Sequence, residues 1–407
     1  MNTHTTGRLL LSLALFVSLA VQGADERYMM REQTYKALAT IQELIGKDKY
    51  QQALERVRKL IPDLSGKAYE QAVAYQTLGY VQSERGKHKL AAQAFLKALK
   101  LNALPRDVAH NLRYNAAQLL IYTSDYKKGL EQLRRWLKQE PKPGIDALQL
   151  AATASYYLKH YRQAADYIGR AIKQSKKPRE SWYQLQLACY YPLKHYKSAT
   201  RVLEKLVRMR PDNKDYWLQL TAMYQQRKLE RRALATMELM LARKLLNAGE
   251  LVRLARLYLY MDMPYKAGRL LSNSIDKGTL KPDLELWTLL GDAWILAQEK
   301  ERAAKALAKA APLAPDGNLY ARLGQTLADL EQWKPAHKAL GKALKKDKLD
   351  KPALTRLLFG IASFHIGKRD ESWRAFQAVR NDKALRSQAE WWIHYLDQTA
   401  PKMDQAS

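Results

Sequence analysis

The chain repeats itself. YYLKHYRQAADYI, starting at Tyr156, sits over YYPLKHYKSATRVL, starting at Tyr190, with Tyr161 aligned to Tyr196 and one residue absorbed in the turn. The pattern continues as YWLQLTAMYQQRKLERRALATMELM, LWTLLGDAWILAQEKERAAKALAKAAPLAP and LYARLGQTLADLEQWKPAHKALGKALKK. A small residue near the start of each second helix sets the register: Ala53, Ala91, Gly129, Ala164, Ala199, Ala233, Ala267, Ala303, Ala336 and Ser372. Successive gaps are 38, 38, 35, 35, 34, 34, 36, 33 and 36 residues. A period of this length is one helix–turn–helix unit, so the fold must be read as an array.

A second small position lies twelve residues before the first, most clearly at Gly79, Ala117, Ala152, Ala255, Gly291, Gly324 and Gly360. Close packing explains both: the first helix (A) of a unit crosses the second (B) where these residues meet, and larger side chains would force the axes apart. Four residues earlier stands a large ring, Tyr183, Trp217, Trp287 or Tyr320, which should fill the space between neighbouring units. Pro141, Pro211 and Pro315 close second helices, since proline cannot continue a helix. Only 18 Gly and 14 Pro in 407 residues argue against a strand-and-turn protein.

Ten units in one register over residues 35–382 resemble the tetratricopeptide repeat (TPR) family. That resemblance implies an all-α, TPR-type helical solenoid, a superhelix of about ten helix–turn–helix units. RSQAEWWIHYLDQ, residues 386–398, reads as the capping helix, with Trp391, Trp392 and Tyr395 covering the last open face. One solenoid is expected over residues 24–407.

The N-terminus sets an expected compartment. MNTHTTGR carries one cation, Arg8; LLLSLALFVSLAV, residues 9–21, is uncharged and apolar; QGADE follows. This is the order of a secretory signal peptide, expected over residues 1–23, with cleavage after Gly23 or Ala24. Thirteen helical residues reach only about 20 Å, short of the roughly 30 Å hydrocarbon core. No later apolar run of 18 residues exists, so the mature chain is expected to be periplasmic with no transmembrane segment. The chain carries 69 Lys and Arg against 40 Asp and Glu, a net charge of +29. That excess favours anionic partners; export removes nucleic acid from the candidates.

Nothing points to catalysis. Cys189 is the only cysteine, so no internal disulfide is possible. A nucleophilic thiol needs a depressed pKa from a base or helix N-terminus. Cys189 lies inside a first helix, with Pro192 between it and His195, and reads as structural. His160 and His195 occupy the same turn position of adjacent units, which is repeat inheritance. No HxxxH, GxxxxGKS, GxGxxG or GxSxG occurs. No enzyme activity, metal or cofactor is expected.

A solenoid without chemistry works through its surface. Outward positions of the stacked first helices form the default concave groove for a protein partner. Here they are Asn111, Tyr114 and Gln118, then Gln149, Thr153 and Tyr156, then Gln184 and Tyr191, then Gln225. Amides and tyrosines together can bond a peptide backbone and pack on its side chains.

ESWYQLQLACYY, YWLQLTAMY, LARLYLYMDMPYKAGRLL and then LLGDAWILAQEKERA, in that order, resemble an exported bacterial tetratricopeptide protein encoded alongside TonB, ExbB and ExbD energy-transducing components. Pro264 stands where the repeat normally has Tyr, preceded by Asp262 and Met263. The resemblance implies a periplasmic accessory scaffold for TonB-dependent uptake, with TonB, ExbB, ExbD or an outer-membrane receptor as partner. The alternative, from charge alone, is an envelope scaffold holding peptidoglycan or acidic lipopolysaccharide on its basic surface.

Overall fold

The computed structural model describes residues 26–346 and 348–399. The expected signal peptide, residues 1–23, and its cleavage site lie outside them. Among the described residues there are twenty-one α-helices, one short 3-10 turn and no strand. None of these helices is long and apolar enough to cross a membrane. The fold class is all-α helical solenoid. Contacts divide the chain into two compact units, Met1–Arg227 and Lys228–Ser407.

The first unit holds five helix pairs and one further first helix. The pairs are α1 (Glu32–Gly46) with α2 (Tyr50–Asp63), α3 (Ala68–Glu84) with α4 (His88–Lys100), and α5 (Arg106–Tyr122) with α6 (Tyr126–Leu137). Then come α7 (Ile145–Tyr157) with α8 (Tyr161–Gln174), α9 (Glu180–Tyr190) with α10 (Tyr196–Met209), and α11 (Lys214–Gln226). Each helix packs on its chain neighbours, and first helices touch first helices, α5 on α7 and α7 on α9. That nearest-neighbour pattern is what a solenoid requires.

The second unit begins with α12 (Glu230–Ala242). Four pairs follow: α13 (Ala248–Tyr260) with α14 (Pro264–Asp276), α15 (Leu284–Leu296) with α16 (Lys300–Ala310), α17 (Asn318–Ala328) with α18 (Trp333–Lys346), and α19 (Pro352–His365) with α20 (Arg369–Val379). Helix α21 (Arg386–Gln398) ends it.

The register residues of the ten units are all buried. Where the pair carries polar or missing side chains the crossing is visible directly: the Ser372 hydroxyl donates to the Gly360 carbonyl at 2.9 Å. One turn beyond each register residue lies a layer that the small-residue pattern does not announce: Val57, Phe95, Leu133, Ile168, Leu203, Met237, Leu271, Leu307, Leu340 and Phe376, every one fully buried. Four of these side chains occupy the space left by a glycine on the partner helix. A Cβ on Gly291, Gly324 or Gly360 would stand 3.0, 2.5 or 2.6 Å from Leu307, Leu340 or Phe376, and one on Gly79 would overlap the Phe95 ring. Burying each such side chain contributes roughly 1.5–3 kcal/mol.

The A-to-B turns are equally regular. Five residues before each register residue the backbone enters the left-handed region, at Asp48, Gly86, Ser124, Lys159, Lys194, Lys228, Asp262, Gln298, Glu331 and Gly367. The next N–H reaches back across the turn to the end of the first helix: His160 donates to the Ser155 carbonyl at 2.8 Å and Met263 to Tyr258 at 2.8 Å. This bond closes the helix C-terminus. Asp262 is therefore the ordinary left-handed residue of its turn, and Pro264 opens α14 at a position where a missing N–H is harmless.

Two packing expectations need correction. In the fifth unit the buried ring is Trp182, with Tyr183 only half-buried. Helical geometry puts these neighbours about 100° apart, so only one can face the core. At the C-terminus Trp392 does cover the open face, stacking on Phe376 at 5.5 Å, beside buried Ala389 and Leu396. Tyr395, 38% exposed, meets the Phe364 ring edge-on at 5.6 Å, whereas Trp391 is 58% exposed and lies parallel to the Tyr395 ring.

Candidate functional site

In a helix, side chains at i, i+4, i+7 and i+11 share one side. On α5 that stripe is Asn111, Asn115, Gln118 and Tyr122; on α7, which packs beside it, it is Asp146, Leu150, Thr153 and Tyr157. None of the eight is buried, and Tyr122 and Tyr157 are 64% and 58% exposed. The equivalent surface of α3 is largely closed: Val73, Thr77 and Tyr80 are buried there, and only Glu84 at its end is exposed. The open face of the first unit therefore starts at α5.

The nine candidate residues divide into two groups. The side chains of Asn111, Gln118, Thr153 and Gln225 make no hydrogen bond among the described residues, and Asn111 and Gln225 are exposed. The other five hold the array together. Trp182 Nε1 donates to Gln149 Oε1 at 3.2 Å, joining α9 to α7. Gln184 Nε2 donates to the Tyr216 hydroxyl at 2.5 Å, joining α9 to α11, and the Tyr191 hydroxyl donates to Gln219 Oε1 at 3.1 Å across the same junction. Tyr114 packs on Trp136 at 4.8 Å, and burial pushes its phenol pKa up. Tyr156 lies over the small cluster of Ala164, Ala165 and Cys189, edge-on to Tyr157 and Tyr161.

Tyr216 also links the α9–α11 junction to charge. Its hydroxyl donates to Glu180 Oε1 at 2.6 Å while Arg210 Nε meets Glu180 Oε2 at 2.7 Å. The Tyr216 bond, then the Arg210 bond, hold the Glu180 carboxyl below its ordinary range.

Sequence reasoning missed Tyr122 and Tyr157. Each is the last residue of a first helix, and each meets the first residue of the preceding second helix. Tyr122 stands edge-on to His88 at 5.0 Å, and Tyr157 stacks on Tyr126 at 4.4 Å. The second unit repeats the device once, with His365 stacked on Trp333 at 3.8 Å. The signal was available as rings spaced 31–34 residues apart, eleven places after the first stripe position.

Cys189 is fully buried, and burial pushes its thiol up to about 11, so it is protonated at neutral pH. His195 lies beside the Tyr190 ring, 6.2 Å away. Among the described residues no group of three His, Cys, Asp or Glu side chains is arranged to hold a metal.

No protein-family model matches the chain, and no curated protein matches it. Solved structures do. The chain is similar to YrrB, described as a TPR protein with an unusual peptide-binding site, at 17% identity over 45% of this chain and 89% of that one, with a TM-score of 0.34. It is similar to a tetratricopeptide repeat protein from Parabacteroides merdae at 17% identity over 69% of this chain and 94% of that one, with a TM-score of 0.34. MamA from Desulfovibrio magneticus RS-1 matches at 15% identity over 46% and 99% of the two chains, with a TM-score of 0.35.

Proposed function

We propose that this chain is a non-enzymatic protein-interaction scaffold that takes a partner on the first-helix face of its first unit. The observation that carries this reading is the pair of open stripes on α5 and α7. Asn111, Gln118 and Thr153 offer unpaired polar groups, and the exposed rings of Tyr122 and Tyr157 flank them. Unpaired amides beside exposed tyrosines suit a polypeptide, whose backbone supplies donors and acceptors and whose side chains cover the rings. Clustered exposed rings are an interaction surface by default, since scattered single ones are the norm elsewhere.

The scaffold works in the periplasm, a reading supported by the charge and apolar order of residues 1–24. Its partner belongs to a TonB-type system, a reading supported by LARLYLYMDMPYKAGRLL and its flanking stretches. The test is co-purification from bacterial envelope extracts. Enrichment of TonB, ExbB, ExbD or an outer-membrane receptor, lost in the Tyr122→Ala/Tyr157→Ala variant, supports both parts. Enrichment of none of them from any extract sinks the TonB assignment. Partner capture that the double variant leaves untouched sinks the first-helix face.

A further inference from the structure

Part of the basic excess is concentrated on two second helices of the second unit. Helices α16 and α18 together carry nine Lys and Arg against one acid, Glu301. Between them runs a trough of about 540 Å³. Its floor is apolar: Tyr320, Leu323 and Leu327 from α17, with Ala304, Ala308 and Ala339 on the walls. Its rims are Glu301 and Lys305 on one side and Lys338 and Lys342 on the other, all exposed. No described acid forms an ion pair with any of these three lysines. Lys342 Nζ rests 5.3 Å from the Tyr320 ring, a cation held at the edge of the floor.

We propose that this trough docks an acidic amphipathic helix of a partner protein. The shape decides among anionic ligands. A polyanion needs cations but no apolar floor. A bilayer needs apolar groups that protrude, whereas Leu323 and Leu327 lie buried at the base of a recess. A helix supplies what the trough lacks: an apolar stripe for the floor and carboxylates at i, i+4 spacing on both flanks for the rims. Lys338 and Lys342 have that same i, i+4 spacing. The small alanines on the walls let a helix axis come close. Helices of 11 and 14 residues make walls about 16–21 Å long, room for three to four turns of ligand.

This site is on second helices of the second unit and stands independently of the first-helix face proposed above. The experiment is fluorescence anisotropy on the purified full chain. One probe is a labelled 18-residue helical peptide with leucines at i, i+3 and i+4 and glutamates on both flanks. The others are a scramble of the same composition and phosphatidylglycerol vesicles. The expected result is saturable binding of the amphipathic peptide, weakened tenfold or more by Lys338→Glu/Lys342→Glu and by Ala308→Trp, and unchanged by Tyr122→Ala/Tyr157→Ala. The scramble should bind at least tenfold more weakly. Both lysines and Ala308 are exposed, and circular dichroism of each variant checks its fold. Equal binding of peptide and scramble, indifference to the trough variants, or binding of vesicles without the peptide would each overturn the proposal.

Discussion

A methyl group added at Gly360 should loosen the C-terminal end of the second unit, although alanine is the better helix former. Gly360 lies inside α19, where alanine is favoured by about 1 kcal/mol on propensity alone. The added Cβ would stand 2.6, 2.9 and 3.0 Å from three atoms of the Phe376 ring. Carbon pairs rest at about 3.5–4.0 Å, so the overlap is close to an ångström. The ring cannot easily retreat. It is fully buried, and Trp392 stacks on it at 5.5 Å with planes 13° apart. The backbone is held too, by the Ser372 hydroxyl on the Gly360 carbonyl. Overpacking costs about 1–3 kcal/mol, and an overlap this deep belongs at the upper end, which leaves a net loss of about 2 kcal/mol after the propensity gain. Gly169→Ala is the control, because its Cβ would meet only the flexible end of Gln186 at 3.1 Å, and it should stabilise α8 by up to about 1 kcal/mol. Native-state hydrogen exchange read by mass spectrometry reports α19–α21 and α8 separately, so it does not assume one global transition. Phe376→Leu on the Gly360→Ala background should recover about 1 kcal/mol relative to additivity. If Gly360→Ala protects α19 as Gly169→Ala protects α8, the close crossing of paired helices is refuted.

The turns make a second set of claims. Lys159→Gly and Lys194→Gly should each stabilise the first unit by about 0.5–1 kcal/mol in urea unfolding, since a left-handed lysine costs about 1–2 kcal/mol and glycine returns part of that as chain entropy. Glu70 is buried beside α1: Arg31 Nη2 donates to it at 2.9 Å and the Thr34 hydroxyl at 2.6 Å. Burial pushes its carboxyl up, but the bonds from Arg31 and Thr34 outweigh that and leave it below its ordinary 4.5. A depressed acid stabilises the fold above its unfolded pKa and loses that contribution as pH falls through the folded value, so the first unit should weaken below about pH 4.5, and Glu70→Gln should flatten that slope in thermal melts. On the binding side, Tyr122→Ala or Tyr157→Ala should weaken capture of the partner about tenfold, about 1.4 kcal/mol, while the lost ring contact with His88 or Tyr126 lowers stability by only about 0.5–1.5 kcal/mol.

The register of the array was legible because its key positions are chemically narrow. Ala, Gly or Ser stands at all ten, and every one is buried. The facing layer was not legible, because five residue types fill it: Val, Phe, Leu, Ile and Met all satisfy a buried apolar site. The left-handed turn residue was hidden for the same reason in reverse. Glycine marks it only at Gly86 and Gly367, and elsewhere the turn bonds hold lysine, aspartate, serine, glutamine or glutamate in that conformation. Outward spacing identified candidate groove residues but not their partners. Gln149, Gln184 and Tyr191 point away from their own helix pair, yet each reaches the next first helix, because stacked units put those helices within hydrogen-bond range. The lysines of α16 and α18 read as a solvated face until α17 is seen to leave an apolar floor between them.

The central claim is that the chain binds a protein on its first-helix face. Photo-crosslinking in intact cells tests it most directly, with a photoreactive residue at Gln118 or Thr153, the open positions of α5 and α7, followed by mass spectrometry of the adducts. The account predicts adducts of one envelope protein from both positions, a component of a TonB-type system. Adducts from neither, while a residue at exposed Asp276 or Lys338 on the second helices does crosslink, would contradict it and move the function to the other face.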